Sequence, residues 1–336
     1  MARFILRRLF FLVAMLLGLL VITFSVSHVA PGDPAALAAG PDATAEMVET
    51  IREQYGLDEP LPVQFWLYLQ GVVTFDFGES VRTGRAVGED LARYFPATFE
   101  LVTFSILIAC LIGIPLGMAS AVWRNGWIDH LSRVLSVSGV AFPMFWLGLM
   151  LQLLLALQLG WLPLGGRLDL MTEPPTAITG LYLVDSLLVG RPDVFMDALA
   201  HLILPAVALC FPALASILRV NRAEMVEALA QDYVTGARAL GVGAFRLVAV
   251  HALKNAMLPT LAMIGLRYGW MLGGTIMVEA VFDWPGIGLY AVQSAVSSDF
   301  QPIMGVTLLI GLNFMLANLL VDLCYAWIDP RLREAG

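Results

Sequence analysis

Charge is scarce in this sequence, and lysine is almost missing. Charged residues occupy 14% of the 336 positions, against about 25% in an average soluble chain. Of the 19 cations, 18 are arginine and one, Lys254, is lysine. A phosphate-cradling P-loop needs its own lysine within Gly-x-x-x-x-Gly-Lys-Ser/Thr. Nothing around Lys254 fits that pattern, so any ATP must be bound by another chain. Cysteine is equally sparse. Cys110, Cys210 and Cys324 each lie in an apolar run, which leaves no Cys-x-x-Cys pair and no disulfide framework. The histidines (His28, His130, His201 and His251) show no ligand spacing. No metal site and no cofactor is expected. The net charge of −8 argues against nucleic acid, because binding phosphates needs clustered cations.

What the chain has in abundance is apolar, at 59% of its residues. A membrane-spanning helix needs about 20 such residues in a row. Six runs qualify, at residues 9–26, 101–122, 134–162, 198–218, 256–278 and 302–327. The 134–162 run holds 29 uncharged residues and reads as one tilted span with an overhang. The fold expected is therefore an all-α integral membrane protein. The first run follows Arg3, Arg7 and Arg8. A cleavable signal peptide is the competing reading, with small residues at Ala36-Leu37-Ala38, but the run exceeds a signal peptide's 7–15-residue core. It reads as a retained anchor.

Lys and Arg counts orient the bundle, since short cytoplasmic loops collect cations. With a cytoplasmic N-terminus, twelve cations fall inside: Arg3, Arg7, Arg8, Arg124, Arg133, Arg219, Arg222, Arg238, Arg246, Lys254, Arg331 and Arg333. Six fall outside, and both termini are cytoplasmic. Three regions follow: a first segment and span at 1–28, an extracytoplasmic stretch at 29–98, and a core of five spans at 99–336. The 29–98 stretch is acidic, with eleven acids and four arginines. Within it Thr44 can cap a short helix carrying Met47, Ile51 and Tyr55. A second helix starts near Pro62 and carries Phe65, Trp66 and Tyr68, which suit the membrane boundary or packing on the bundle.

The core contains an unusually long cytoplasmic loop, residues 219–257. Asp232 can cap a short helix that Gly241 ends, and a second helix runs from Ala244 to about Leu253. The short helix, Tyr233-Val234-Thr235-Gly236-Ala237-Arg238-Ala239-Leu240, presents small residues beside a few larger ones. Small residues let another backbone come close, so this surface suits a partner protein. A purely structural helix pair is the alternative.

The run from Asp232 to Gly241, followed by His251-Ala252-Leu253-Lys254-Asn255-Ala256-Met257-Leu258-Pro259, resembles the coupling loop of ABC-importer permeases. It is most similar to the dipeptide, oligopeptide and nickel branch. Four more segments resemble that branch in the same order. They are Leu6-Arg7-Arg8-Leu9, Ala30-Pro31-Gly32-Asp33-Pro34, the run from Val278 through Trp284-Pro285-Gly286 to Gly288, and Asp329-Pro330-Arg331-Leu332-Arg333. Where the wider family has Glu-Ala-Ala, three residues, then Gly, this chain has Thr235-Gly236-Ala237, so the glutamate is absent.

The resemblance implies a type I importer permease with six spans in the bacterial inner membrane. It implies a second homologous permease subunit, two ATP-binding subunits and an extracytoplasmic solute-binding protein as partners, besides membrane lipid. Tyr233, Gly236, Ala237, Arg238 and Gly241 would meet an ATPase groove. Hydrolysis would lie on separate chains. Di- or oligopeptides are the cargo it implies first, with nickel chelates, glutathione and oligosaccharides carried by similar permeases. A self-sufficient secondary transporter, the alternative from another class, would often show an internal repeat, and none is visible.

Polar groups inside spans complete the reading. Arg267 stands at the centre of the fifth run, where a charge costs at least about 2.5 kcal/mol. It either lines the pathway and attracts an anionic group, or makes a structural ion pair with Asp322. Asn313, Asn318, Gln152 and Gln158 either hydrogen-bond between helices or line the pathway. His201 reads as interfacial. Asp299 and Trp284 belong to the last outer loop, free to meet the binding protein or to pack on the bundle.

Overall fold

A computed structural model of the chain describes residues 2–29, 35–36, 43–54, 56–297 and 299–328. Tyr55 and the motifs at 30–34 and 329–333 lie outside them. The described residues are helical apart from loops and one isolated bridge, Glu79 to Ala86. They fall into two compact units, Met1–Thr98 with Pro285–Met315, and Phe99–Trp284 with Leu316–Gly336.

In the first unit α1 (Ala2–Val29) carries an apolar stretch, Leu6–Ser25, long enough to cross a membrane. Two short helices follow, α2 (Ala45–Gln54) and α3 (Leu61–Thr74). Thr44 caps α2 as expected, its Oγ1 accepting the Met47 N–H at 3.3 Å. The α3 aromatics divide their roles. Phe65 meets Phe24 of α1 edge to face, and the Tyr68 hydroxyl lies 3.0 Å from Thr23 Oγ1, while Trp66 stays exposed.

The helix α4 (Val87–Val122) begins well before the apolar run at 101, and contributes residues to each unit. Glu89 and Asp90 in its first turn favour that start, because acids complement the positive end of a helix. In the first unit its opening turns pack Val87 and Leu91 against Ile287, Tyr290 and Val306. These come from α11 (Ile287–Val296) and from α12 (Phe300–Ile328). Asp90 is fully buried here and accepts from Thr83 Oγ1 (2.6 Å), Arg85 Nη2 (2.6 Å) and the Tyr290 hydroxyl (3.0 Å). Burial, and then the Asp90 carboxylate beside it, push the Tyr290 phenol well above its ordinary range.

The second unit is organised by α8 (Pro192–Leu229), which is buried along most of its length. Pro205 and Pro212 lie inside it, as span helices permit when neighbours satisfy the freed backbone groups. Glycine lets α5 (Trp127–Ala141) come close. A Cβ on Gly139 would collide with the Ala215 methyl and lie 2.9 Å from the Phe211 carbonyl of α8.

The third apolar run is not one straight span. α5 stops at Ala141, and a segment turned by 107° continues as Met144–Gln158, α6, whose last part widens into π-helical turns. Pro143 explains the break. It disfavours helical geometry at the residue before it, and Phe142 is extended at φ −88, ψ 126. Five described helices are long and apolar enough to cross a membrane, six with this bent pair taken as one.

A long ordered loop follows, and Gln152 helps to hold it, donating to the carbonyls of Leu164 and Val281. Near its end lies α7 (Tyr182–Leu188), in which Asp185 is fully buried. Burial raises the Asp185 carboxyl. The hydrogen bonds from Thr179 Oγ1 and from the backbone N–H groups of Thr179, Ile178 and Gly180 outweigh that and hold it below the usual range. A depressed carboxylate stabilises the folded loop above the ordinary aspartate pKa of about 4, and that contribution is lost as pH falls through the lowered value. Protection factors over residues 178–190, taken relative to the intrinsic exchange rate at each pH, are therefore expected to fall on acidification below pH of about 4. Asp185→Asn should exchange fast already at neutral pH, and unchanged exchange in that variant would remove Asp185 as the clasp.

Candidate coupling and pathway site

After α8 the chain turns through Ala230 and Gln231 into α9 (Asp232–Ala239). Asp232 is the first residue of this helix rather than its cap. Gln231 occupies the cap position with extended backbone, and no side chain bonds there. The helix ends as expected, with Gly241 at φ +78, a conformation that glycine adopts without strain.

The next helix is longer than the sequence suggests. It does not stop near Leu253 but runs unbroken as α10, Ala244–Val281, through π-helical turns at Leu247–Ala252. The second helix of the loop and the fifth span are therefore one continuous helix, separated from α9 by the turn at Gly241. Beneath them Ala121, Met225, Ala228, Ala252 and Ala256 form a buried cluster, with Val248 and Leu253 packed against it.

α9 is held on this base lightly. Val234 is buried, and Asn255 Nδ2 donates to the Tyr233 hydroxyl at 2.8 Å. Most of the helix faces outward: Tyr233, Gly236 and Arg238 are exposed, with Gly241 just past its end, and Ala237 is half-buried. Leu240 and Phe245 stand 87% and 83% exposed. Gly236 is informative because a Cβ there would meet nothing within 4 Å. Glycine inside a helix costs about 1 kcal/mol relative to alanine, and no packing among the described residues requires it.

Above the loop the second unit carries two buried ionic centres that the apolar pattern had not revealed. Asp129, fully buried on α5, accepts from Ser120 Oγ (2.7 Å), the Asn125 N–H (3.0 Å), Arg133 Nη2 (2.8 Å) and Arg222 Nη2 (2.9 Å). Arg222 stands on α8, seven residues before its end. The second centre joins Arg167 Nη2 to Glu100 at 2.6 Å. The guanidinium lies 3.5 Å from the centre of the Tyr182 ring and 5.6 Å from that of Trp284. The available signal for the first was the i, i+4 pair Asp129 and Arg133. For the second it was Glu100, a lone acid bordering an apolar run.

Arg267 lies in the middle of α10, half-buried, and its Nε is enclosed without a hydrogen-bond partner. The charge acting on it is the like charge of Arg219 on α8. The ion pairs drawn among the described residues do not join it to Asp322, which has interactions of its own. On α12, Asn318 sets its Oδ1 beside Gly265 of α10, while Asn313 is half-buried in the first unit's share of that helix. Trp284 and Asp299 are both buried, so packing claims them. His201 is buried too, its Nδ1 2.9 Å from the Asp197 carbonyl.

Comparison with known families decides what this arrangement belongs to. Residues 113–334 match the family described as binding-protein-dependent transport system inner membrane component, and residues 1–102 match its N-terminal companion. The chain is a binding-protein-dependent transport permease. It is a multi-pass protein of the inner membrane and a permease subunit. A probable D,D-dipeptide transport system permease, DdpB of Escherichia coli K12, is 48% identical over 97% of this permease and 96% of its own length. The dipeptide transport system permease DppB of Alkalihalophilus pseudofirmus is 40% identical over 99% and 100%. A glutathione transport system permease, GsiC of Salmonella paratyphi A, is 40% identical over 99% of both.

Proposed function

We propose that this permease forms half of the pathway of an ATP-driven peptide importer. A solute-binding protein delivers di- or oligopeptides, a second homologous permease supplies the other half, and two ATP-binding subunits drive the cycle. The observation that carries the reading is the outward surface of α9. Gly236 has open space where its side chain would be, and Leu240 and Phe245 protrude beside it with no cover from the described residues. Such a surface fits a groove on another protein. Tyr233, Gly236, Ala237, Arg238 and Gly241 would be the contact, within the coupling loop at 219–257.

Coupling requires that a partner's two states make different contacts with the transmembrane helices. The unbroken helix from Ala244 to Val281 suits that demand, because a push at its foot travels along one rod. Arg267, Asn313 and Asn318 are the side chains proposed to line the pathway. The dipeptide permeases among the relatives favour peptides as cargo, and the glutathione permease extends the same class to a modified tripeptide.

The test is to purify a tagged copy from its own membrane in mild detergent and identify its companions. A second permease and two Walker-motif ATPases are expected, together with a binding protein whose ligand can then be screened. Recovery of the chain alone or as a homodimer, in every detergent, would sink the importer reading in favour of a self-sufficient transporter.

A further inference from the structure

Two arginines in the second unit have no use in the packing described so far. Arg267 occupies the middle of α10, beside the exposed row Ala262, Leu266, Trp270, Gly273 and Met277. Arg219 is the one exposed residue of α8 between residues 197 and 222. The register of the helices is given by Asn221, whose Nδ2 donates to Thr260 Oγ1 at 3.2 Å. Counting from that pair, Arg219 and Arg267 are offset by roughly 7–8 Å along the axes, at 1.5 Å per residue. Both lie on the side of the pair away from the coupling loop, and their charges repel.

A guanidinium inside a span normally faces a cavity or a partner. Here the Nε of Arg267 is enclosed yet makes no hydrogen bond. Nε and one terminal nitrogen form the edge of the fork that grips a carboxylate with two parallel bonds. A lipid headgroup is a poor fit. Arg267 lies 14 residues beyond Leu253, about 21 Å of helix, which is mid-membrane rather than at the headgroup level. An anion that passes through the membrane is the better match.

We infer that Arg267, assisted by Arg219, is a recognition element for a carboxylate of the cargo, the C-terminal carboxylate where the cargo is a peptide. This rests on the peptide-importer reading and adds to it a reason for selectivity within the membrane. Arg267 supplies the directed hydrogen bonds, and Arg219 adds positive potential on the cytoplasmic side of it.

The experiment uses the assembled transporter in proteoliposomes with its own binding protein. A peptide and its C-terminal amide are chosen that the binding protein holds equally, and uptake of each is measured from saturated binding protein. The wild type is expected to take the acid faster. Arg267→Gln should lower the acid-to-amide ratio by about tenfold, the worth of one charge-assisted hydrogen bond, and Arg267→Lys should restore part of it. Arg219→Gln should lower the ratio less. An unchanged ratio in Arg267→Gln, or an equal loss for both cargoes with a lower melting temperature, overturns the inference in favour of a structural pairing. If Arg267→Gln does not assemble, Arg219→Gln decides, and a wild-type ratio there overturns it. A wild-type transporter that takes up neither peptide nor amide fails the peptide reading itself, a result distinct from uptake without discrimination.

Discussion

Asp129→Ala is expected to destabilise the permease by about 3–5 kcal/mol, the range for breaking a buried ion pair by removing one partner. The carboxylate has no exposure and gathers donors from Ser120, Asn125, Arg133 and Arg222. These come from the end of α4, the turn after it, α5 and α8. Without Asp129, Arg222 is left half-buried with no acid, and the turn at Asn125 loses its anchor. Arg222→Ala should cost less, because Arg133 still neutralises the aspartate. The check is a double-mutant cycle on thermal unfolding in detergent. An Asp129→Ala variant that melts within the scatter of the wild type would show the cluster to be incidental. A functional consequence follows from position: Arg222 stands seven residues before the end of the helix that leads into α9, so the same variant should weaken ATP-driven uptake even where protein survives.

Arg167→Ala is the second large effect, again about 3–5 kcal/mol. Glu100 and Arg167 are only 8% and 7% exposed, so the ion pair is barely screened by water. The guanidinium also lies over Tyr182, and its Nη2 donates to the Gly180 carbonyl at 3.2 Å. Cation–π contact adds to the pair when water is excluded. With Arg167 gone, Glu100 retains only the Leu183 N–H among the donors identified here, and the loop between α6 and α8 loses its central post. Limited proteolysis in that loop should become fast at temperatures where the wild type resists. Arg167→Lys should rescue poorly, because an ammonium cannot both fork to Glu100 and lie flat on Tyr182. Equal resistance of Arg167→Ala and wild type would refute the role.

The fold class and the short helix ahead of Gly241 were both legible from residue order. Apolar runs of about 20 residues mark spans because the bilayer forces the length, and the glycine at 241 marks the end of α9 because its φ is positive. Helix boundaries were less legible. The charges at Glu89, Asp90, Glu100, Arg219 and Arg222 break the apolar count, yet helical backbone continues through all of them. Each acid among these that is buried has a partner distant in sequence, such as Tyr290 for Asp90 or Arg167 for Glu100. Hydropathy averages along the chain and cannot see such a partner. The bend at Phe142 was signalled by Pro143, but the uncharged run around it hid the break.

By itself the sequence determined that this protein lives in a membrane and that a short helix begins at Asp232 and ends ahead of Gly241. Those properties depend on composition and local spacing, which the chain states directly. Tertiary structure decided which charges are buried together, that α9 hangs from Val234 and Tyr233 with its small face open, and that Arg267 keeps an unpartnered Nε beside the like charge of Arg219. Those depend on helices far apart in the chain meeting at particular heights, and the solvation of a charge is a property of its neighbours in space.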